Sequence, residues 1–139
     1  MKNINTKIVV ALFAVISTAS FASGFRCEGE GYAVKMYNKT TGGTRVPAKM
    51  VISHEDASPT TLLVADGEDI HKKNRVNSVQ YITDGNSRIG AETVILQVAF
   101  KEGRDVIEAG DVVDGQLILT TAFGKEVASL VCERYLKND

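Results

Sequence analysis

The side chains with the widest chemical repertoire in this chain are two histidines set among acids. His54 precedes Glu55 and Asp56, and His71 follows Glu68, Asp69 and Ile70. Two imidazoles and several carboxylates would make a ligand set for Zn²⁺ if their segments met. Neither cluster has a recognised ligand spacing, and both lie in charged stretches, where solvated side chains are the ordinary expectation. No metal and no cofactor are therefore expected. The same histidines are the available bases for a serine or threonine nucleophile, but no Gly-x-Ser-x-Gly occurs.

Glu28 and Glu30 are spaced for one face of a strand, where two carboxylates at the right separation could hydrolyse a glycoside. A solvated strand face accounts for them better, because acids are almost always exposed. The glycine runs Gly29-Glu30-Gly31 and Gly42-Gly43 lack the following Lys-Ser/Thr and the helix of a phosphate-binding loop, and read as bulge and turn glycines. There is no Trp, so a sugar-stacking platform would fall to Tyr32, Tyr37 and Tyr81. No catalytic residue is assigned from these patterns, and a non-enzymatic domain is the expectation.

Compartment explains the cysteines. Met1 to Gly24 reads as a basic start, a short apolar run from Ile8 to Ile16, and small residues. That is the pattern of a secretory signal, with cleavage expected after Ala22 and an apolar run too short to span a bilayer. The expected organisation is a signal peptide over 1–22 and a single β domain over 23–139, in a periplasmic or secreted protein. In an oxidising compartment two cysteines pair, so Cys27 and Cys132, 105 positions apart, are expected to form a disulfide. Residues 1–22 carry Lys2 and Lys7 and no acid, so their removal shifts the formal charge from −1 to −3. Nucleic acid is not an expected partner, since phosphate backbones are met by concentrated basic surfaces.

The elements that must position any site are strands. Residues alternate in apolar character over Cys27–Tyr37, Arg45–His54, Thr60–Ala65, Arg75–Thr83, Ala91–Phe100 and Gln116–Thr121. Gly29 and Gly31 are expected to mark a bulge in the first of these. Pro47 places the second at an edge or starts it after the proline. Asp105–Glu108 reads as a short return strand, and Glu68–Asn74 as an exposed charged segment. Glu126–Leu136 reads as a strand, with helical spacing of Val127, Leu130, Val131 and Tyr135 as the alternative. About eight short strands with turns at regular intervals predict an all-β fold, a small antiparallel up-and-down barrel or a sandwich. The disulfide would join first strand to last at its seam. Val34, Met36, Met50, Ile52, Leu96, Val98 and Leu117 form the expected interior.

Two stretches carry a resemblance. Phe25-Arg-Cys-Glu-Gly-Glu-Gly-Tyr-Ala-Val-Lys-Met-Tyr-Asn38 and Val131-Cys-Glu-Arg-Tyr-Leu-Lys137 resemble the ends of small secreted proteins of uncharacterised function from predatory bacteria. The resemblance implies an exported β domain and no activity. A weaker one is to the periplasmic lysozyme inhibitors of the eight-stranded barrel type, which open on a similar Tyr/Phe-x-Cys strand. Their Ser-Gly-x-x-Tyr inhibitory loop has as its nearest stretch here Asp84-Gly85-Asn86-Ser87-Arg88, and no residue role is carried over.

Function is therefore expected in the loops. The candidate binding residues are Asn38 and Arg45 around Asn38–Thr44, His54 and Asp56 around Glu55–Pro59, and Asp84, Asn86 and Arg88 within Asp84–Gly90. The leading expectation is binding of a protein or surface polymer. Small-molecule or lipid binding in the barrel mouth is the alternative, and hydrolysis of cell-envelope material the second alternative.

Overall fold

A computed structural model describes residues 23–104 and 106–136. Residues 1–22, where the signal sequence is expected, lie outside them. The described chain forms nine antiparallel strands: β1 (Ser23–Gly29), β2 (Tyr32–Thr41), β3 (Thr44–His54), β4 (Thr61–Asp66), β5 (His71–Asn74), β6 (Ser78–Asp84), β7 (Thr93–Ala99), β8 (Val112–Thr121) and β9 (Gly124–Leu136). One 3-10 turn, Gly67–Asp69, lies between β4 and β5. The count is nine where about eight were expected.

Two strands are gained and one is lost: the first cysteine segment is a hairpin and not one bulged strand, His71–Asn74 of the expected exposed segment pairs with β6 as β5, and no strand forms over residues 106–108. Glu30 and Gly31 have φ of 50° and 86°, the positive values that a two-residue type I′ turn requires at both central positions. The turn folds β2 back on β1 and places Cys27 opposite Val34. The expected loop Asn38–Thr44 shrinks in the same way. Gly42 and Gly43, with φ of 59° and 84°, make the turn alone, so Asn38 lies within β2 and Arg45 within β3. Pro47 is neither at an edge strand nor ahead of β3. It sits at a register shift in the β2–β3 ladder, beyond the last β4 partner of β3, where no ladder donor is needed.

All nine strands belong to one sheet, in the order β4-β3-β2-β1-β9-β8-β7-β6-β5, which curls into a half-barrel. Each strand neighbours its successor except at β4 and β5, the two edges. The first and last strands are paired and joined by the disulfide as expected, and that junction lies at the middle of the sheet, opposite the opening. Strand parity explains where the opening falls. With every neighbour antiparallel, the two outermost of nine strands run in the same direction. Closing the ring would demand a parallel β4–β5 pair, and parallel neighbours need a crossover of about a dozen residues. Only Gly67–Ile70 connects these two. The edge at β5 is short and entirely exposed, His71-Lys72-Lys73-Asn74, which discourages edge-to-edge pairing with other chains.

The core lies in the concavity. All seven residues of the expected interior set are fully excluded from solvent, joined by Phe25, Leu63, Val79, Tyr81, Val94, Leu119 and Leu130 among others. Cys27 and Cys132 are directly opposed on β1 and β9, both buried, 4.0 Å apart at Cα and disulfide-bonded. Gly115 on β8 leaves the space that the bridge occupies. Segment 126–136 is strand throughout, because its pairing with both β1 and β8 fixes period two and the helical alternative falls.

Between β7 and β8 the expected return strand is absent among residues 106–108; Asp105 lies outside the described residues. The segment is instead a loop fastened by charge. Asp111 accepts hydrogen bonds from the Glu108 backbone N–H at 2.8 Å and from Arg104 Nη1 at 3.0 Å, and Lys101 Nζ stands 3.6 Å away. Arg134 of β9 anchors the same loop. Its backbone N–H donates to the Asp111 carbonyl at 3.0 Å, Gly110 N–H donates to its carbonyl at 2.8 Å, and its Nη1 donates to the Ile107 carbonyl. Ile107 is thereby buried against the core.

Candidate functional site

The concavity is filled along most of its length and open at one end. That end is where β2 meets β3, β5 meets β6, and the 100–111 loop crosses. A cavity of about 550 Å³ lies there, within the range of ordinary small-ligand sites. Its buried wall is apolar: Phe25 from β1, Val79 and Tyr81 from β6, and Ile107, with Phe100 and Val106 completing it from the loop. The Phe25 and Tyr81 rings pack at 6.0 Å between centroids, tilted by 55°. Burial pushes the Tyr81 phenol well above its ordinary value, with the Arg45 guanidinium opposing the shift.

The polar lining comes from four strands and one turn. Asn38 of β2, Arg45 of β3, Lys72 and Asn74 of β5, Arg75 just after it, and Arg134 of β9 all face the cavity. The pleat sets these directions. Lys72 pairs with Tyr81 and Asn74 with Val79, and paired residues project from the same face, so β5 turns Lys72 and Asn74 inward and His71 and Lys73 outward. Asn38 follows Val34 and Met36 on the inward face of β2 and is buried. Four cations and two amides thus converge on the opening, and no carboxylate is among the described lining residues. The nearby acid of the loop, Asp111, is neutralised by Arg104 and Lys101; the Glu108 N–H above all, then those cations, holds its carboxyl below the usual range.

Two of the seven residues singled out from the sequence, Asn38 and Arg45, come together here, on strands and not in a loop. The other five lie towards the opposite end of the sheet. His54 packs edge-on against Tyr32, with centroids 4.5 Å apart, and its Nδ1 accepts the Asp56 backbone N–H at 3.1 Å. This pair borders a second hollow, of about 510 Å³, with Gly31, Glu55 and Thr60. Asp84 ends β6. Asn86 and Arg88, in the loop after β6, reach across to the β4 side. Asn86 Oδ1 accepts the Ile89 N–H at 2.8 Å while its Nδ2 donates to the Leu62 carbonyl at 3.0 Å. Arg88 Nη2 donates to the carbonyls of Pro59 and of Thr61, the latter at 3.2 Å. These bonds satisfy backbone acceptors on the β4 side that would otherwise face an unpaired edge.

The acids and histidines separate likewise. Glu28 is exposed on β1, while Glu30 sits in the turn and accepts the Ser129 backbone N–H, so the two do not share a strand face. His71 projects outward from β5. No group of three or more His, Cys, Asp and Glu side chains converges among the described residues. Sequence reasoning missed Lys72, Asn74, Arg75 and Arg134. The basic run Lys72-Lys73-Asn74-Arg75 was the available signal, but its division between inner and outer faces needs the β5–β6 register.

No helix among the described residues is long and apolar enough to cross a membrane. No protein-family model, curated protein or solved structure matches this chain.

Proposed function

We propose that this is an exported, non-enzymatic binding domain that takes a small ligand in the open end of its half-barrel. One observation carries the reading: an interior packed solid elsewhere opens at one end into a cavity of about 550 Å³ on which six polar side chains converge. Core packing alone does not call for converging cations, since burying or crowding like charges is unfavourable. The buried disulfide supports export, because such bonds persist in oxidising compartments. Native mass spectrometry of freshly purified protein, followed by NMR titration with a low-molecular-weight envelope extract, tests it. A co-purified mass, or shifts confined to residues such as Asn38, Lys72 and Arg134, is the expected result. A bare chain whose cavity amides stay unmoved refutes it.

A second reading, a protein or surface-polymer partner, draws on the outer face. Phe123 at the tip of the β8–β9 hairpin is 99% exposed, and Val127 and Val131 stand exposed on the same side of β9. Crosslinking through a photoreactive residue at 123 tests it; recovery of no specific adduct from envelope or host-cell extracts counts against it.

A further inference from the structure

We infer that the ligand of the open end is a compact amphipathic anion: a carboxylate or phosphate head on a short apolar body. This rests on the binding reading above and specifies its chemistry. Three independent features point the same way.

The first is charge contrast. The chain as a whole has a formal charge of −1, yet among the described residues the cavity lining holds Arg45, Lys72, Arg75 and Arg134 and no acid. Among the described residues none of these four is in an ion pair. Like charges facing one another across a cavity with partly apolar walls repel, and an anion between them reverses the sign of that interaction.

The second is an unanswered donor. The Nε–H of Arg134 is buried and has no hydrogen-bond partner among the described residues, although the same guanidinium uses Nη1 on the Ile107 carbonyl. It is the single buried side-chain nitrogen or oxygen of the described residues in that state. Leaving such a donor unmet is costly, more so when it is charged, and an oxyanion is the acceptor that guanidinium geometry suits. Protection of a sheet edge by an inward-facing charge would account for Lys72, but Arg134 lies on a central strand, so that device does not reach it.

The third is the shape of the apolar part. Phe25, Tyr81 and Ile107 line the cavity, but behind them Val34, Met36 and Val98 are fully buried and leave no channel along the half-barrel. A long acyl chain has nowhere to go, whereas an aromatic or short branched group fits against the rings. The cations also straddle the opening. Arg45 lies on β3 on one side, and Lys72 and Arg75 lie at β5 on the other. A bound anion would therefore link the two lips that strand parity keeps from pairing.

The test compares four probes by NMR titration of the full chain from Ser23 at low salt: 4-phenylbutyrate, 4-phenylbutyl phosphate, 4-phenylbutanol and inorganic phosphate. At least one of the first two is expected to bind roughly ten-fold or more tighter than the alcohol and than inorganic phosphate, and to weaken as salt rises. Which of the two is tighter distinguishes a carboxylate from a phosphate ligand. The double variant R45Q/R75Q should lose that ten-fold preference of the amphipathic anions over the alcohol. Both residues are exposed, so this variant should fold, whereas Arg134 also anchors a loop. An alcohol as tight as both anions overturns the anionic head and leaves the binding reading standing. Inorganic phosphate as tight as the amphipathic anions overturns the apolar body alone. No shift at cavity residues with any probe overturns the inference and removes the support it lends the binding reading.

Discussion

Gly115 is the most sharply placed small residue in the core, and Gly115→Ala measures how tightly β8 is packed on the disulfide. In the β8–β9 ladder Val113 is opposite Cys132, and Gly115 is the diagonal neighbour on the same inward face. A Cβ at 115 would lie 2.5 Å from Cys132 Sγ and 3.1 Å from the Gln97 carbonyl oxygen. Carbon contacts are normally at about 3.5 Å or more, so one atom must move by roughly 1 Å in a close-packed interior. The backbone at 115 is not left-handed. Alanine should therefore gain about 0.5–1 kcal/mol from reduced unfolded-state freedom. Overpacking costs about 1–3 kcal/mol, leaving a net loss of roughly 1–2 kcal/mol. In a C27A/C132A background the obstructing sulfur is gone and the Cys132 Cβ position is 3.8 Å away. There only the 3.1 Å contact with the Gln97 carbonyl remains, so the same substitution should be close to neutral, giving a coupling of about 1–2 kcal/mol. Urea unfolding followed by far-UV circular dichroism and tyrosine fluorescence reads all four corners of the cycle, the chain having four Tyr and no Trp. Equal cost of Gly115→Ala in both backgrounds, at unchanged m-values, would refute the argument that the glycine exists to house the bridge.

Removing the bridge by C27A/C132A should itself cost about 2–5 kcal/mol, as expected for a loop of about 100 residues, read as a lower urea midpoint. Asn86→Ala deletes both the Ile89 and Leu62 contacts and should cost roughly 1–2 kcal/mol; hydrogen exchange should rise in β4 and the 85–91 loop before it rises in β8, and uniform acceleration would count against a role in tying that loop to β4. The Asp111 carboxyl is held below its ordinary value in the folded state, so its contribution is present above the unfolded value near 4 and disappears as pH falls through the depressed one. Amide exchange at Glu108 and Arg134 should quicken in that acid window, and Asp111→Asn should abolish the pH dependence. Tyr81 is shifted the opposite way in consequence: burial raises its phenol, so stability is complete below the unfolded value of about 10 and declines as pH rises above it. Tyr81→Phe should remove part of that alkaline decline, measured by denaturation at pH 9 and 11.

Legibility in the sequence followed the range of the interactions involved. The interior set could be read because period-two alternation is local, and each strand reports its own inward face. The cysteine pairing could be read because compartment and count determine it. The first hairpin was misread for an instructive reason. Cys27 and Val34 are an odd number of positions apart, so in one continuous strand they would face opposite ways. A bulge repairs that parity, and so does a two-residue turn, which is what Glu30-Gly31 provides. Glutamate is an unusual first residue for such a turn, which hid the signal. The strand of Asp105–Glu108 failed differently, since Arg104, Asp111 and Arg134 hold that stretch through contacts up to 27 positions apart. The basic opening was the least legible part. Arg45, Lys72 and Arg134 occupy strands three, five and nine, and only register and curl bring them to one mouth.

Strand parity and the charged opening are physically linked. An up-and-down sheet of even count can close on itself with every neighbour antiparallel, and its edges vanish. The split of the first segment into a hairpin offsets the missing strand at 106–108, and β5 then makes the count nine, which leaves the ring one junction that antiparallel pairing cannot close. The chain meets this at the far end with Asn86 and Arg88 reaching the β4 side, and at the covalent link with a single 3-10 turn. At the open end it places Arg45 on one side and Lys72 and Arg75 on the other. Repulsion between those cations favours separation of the lips, so anything that neutralises them should draw the lips together. Neutral glutamines at 45 and 75 should accordingly raise the stability of the empty protein slightly at low salt, within about 1 kcal/mol, with the gain fading as salt screens the repulsion. A loss of stability that is independent of salt would show that these side chains support the fold and are not held apart for a ligand.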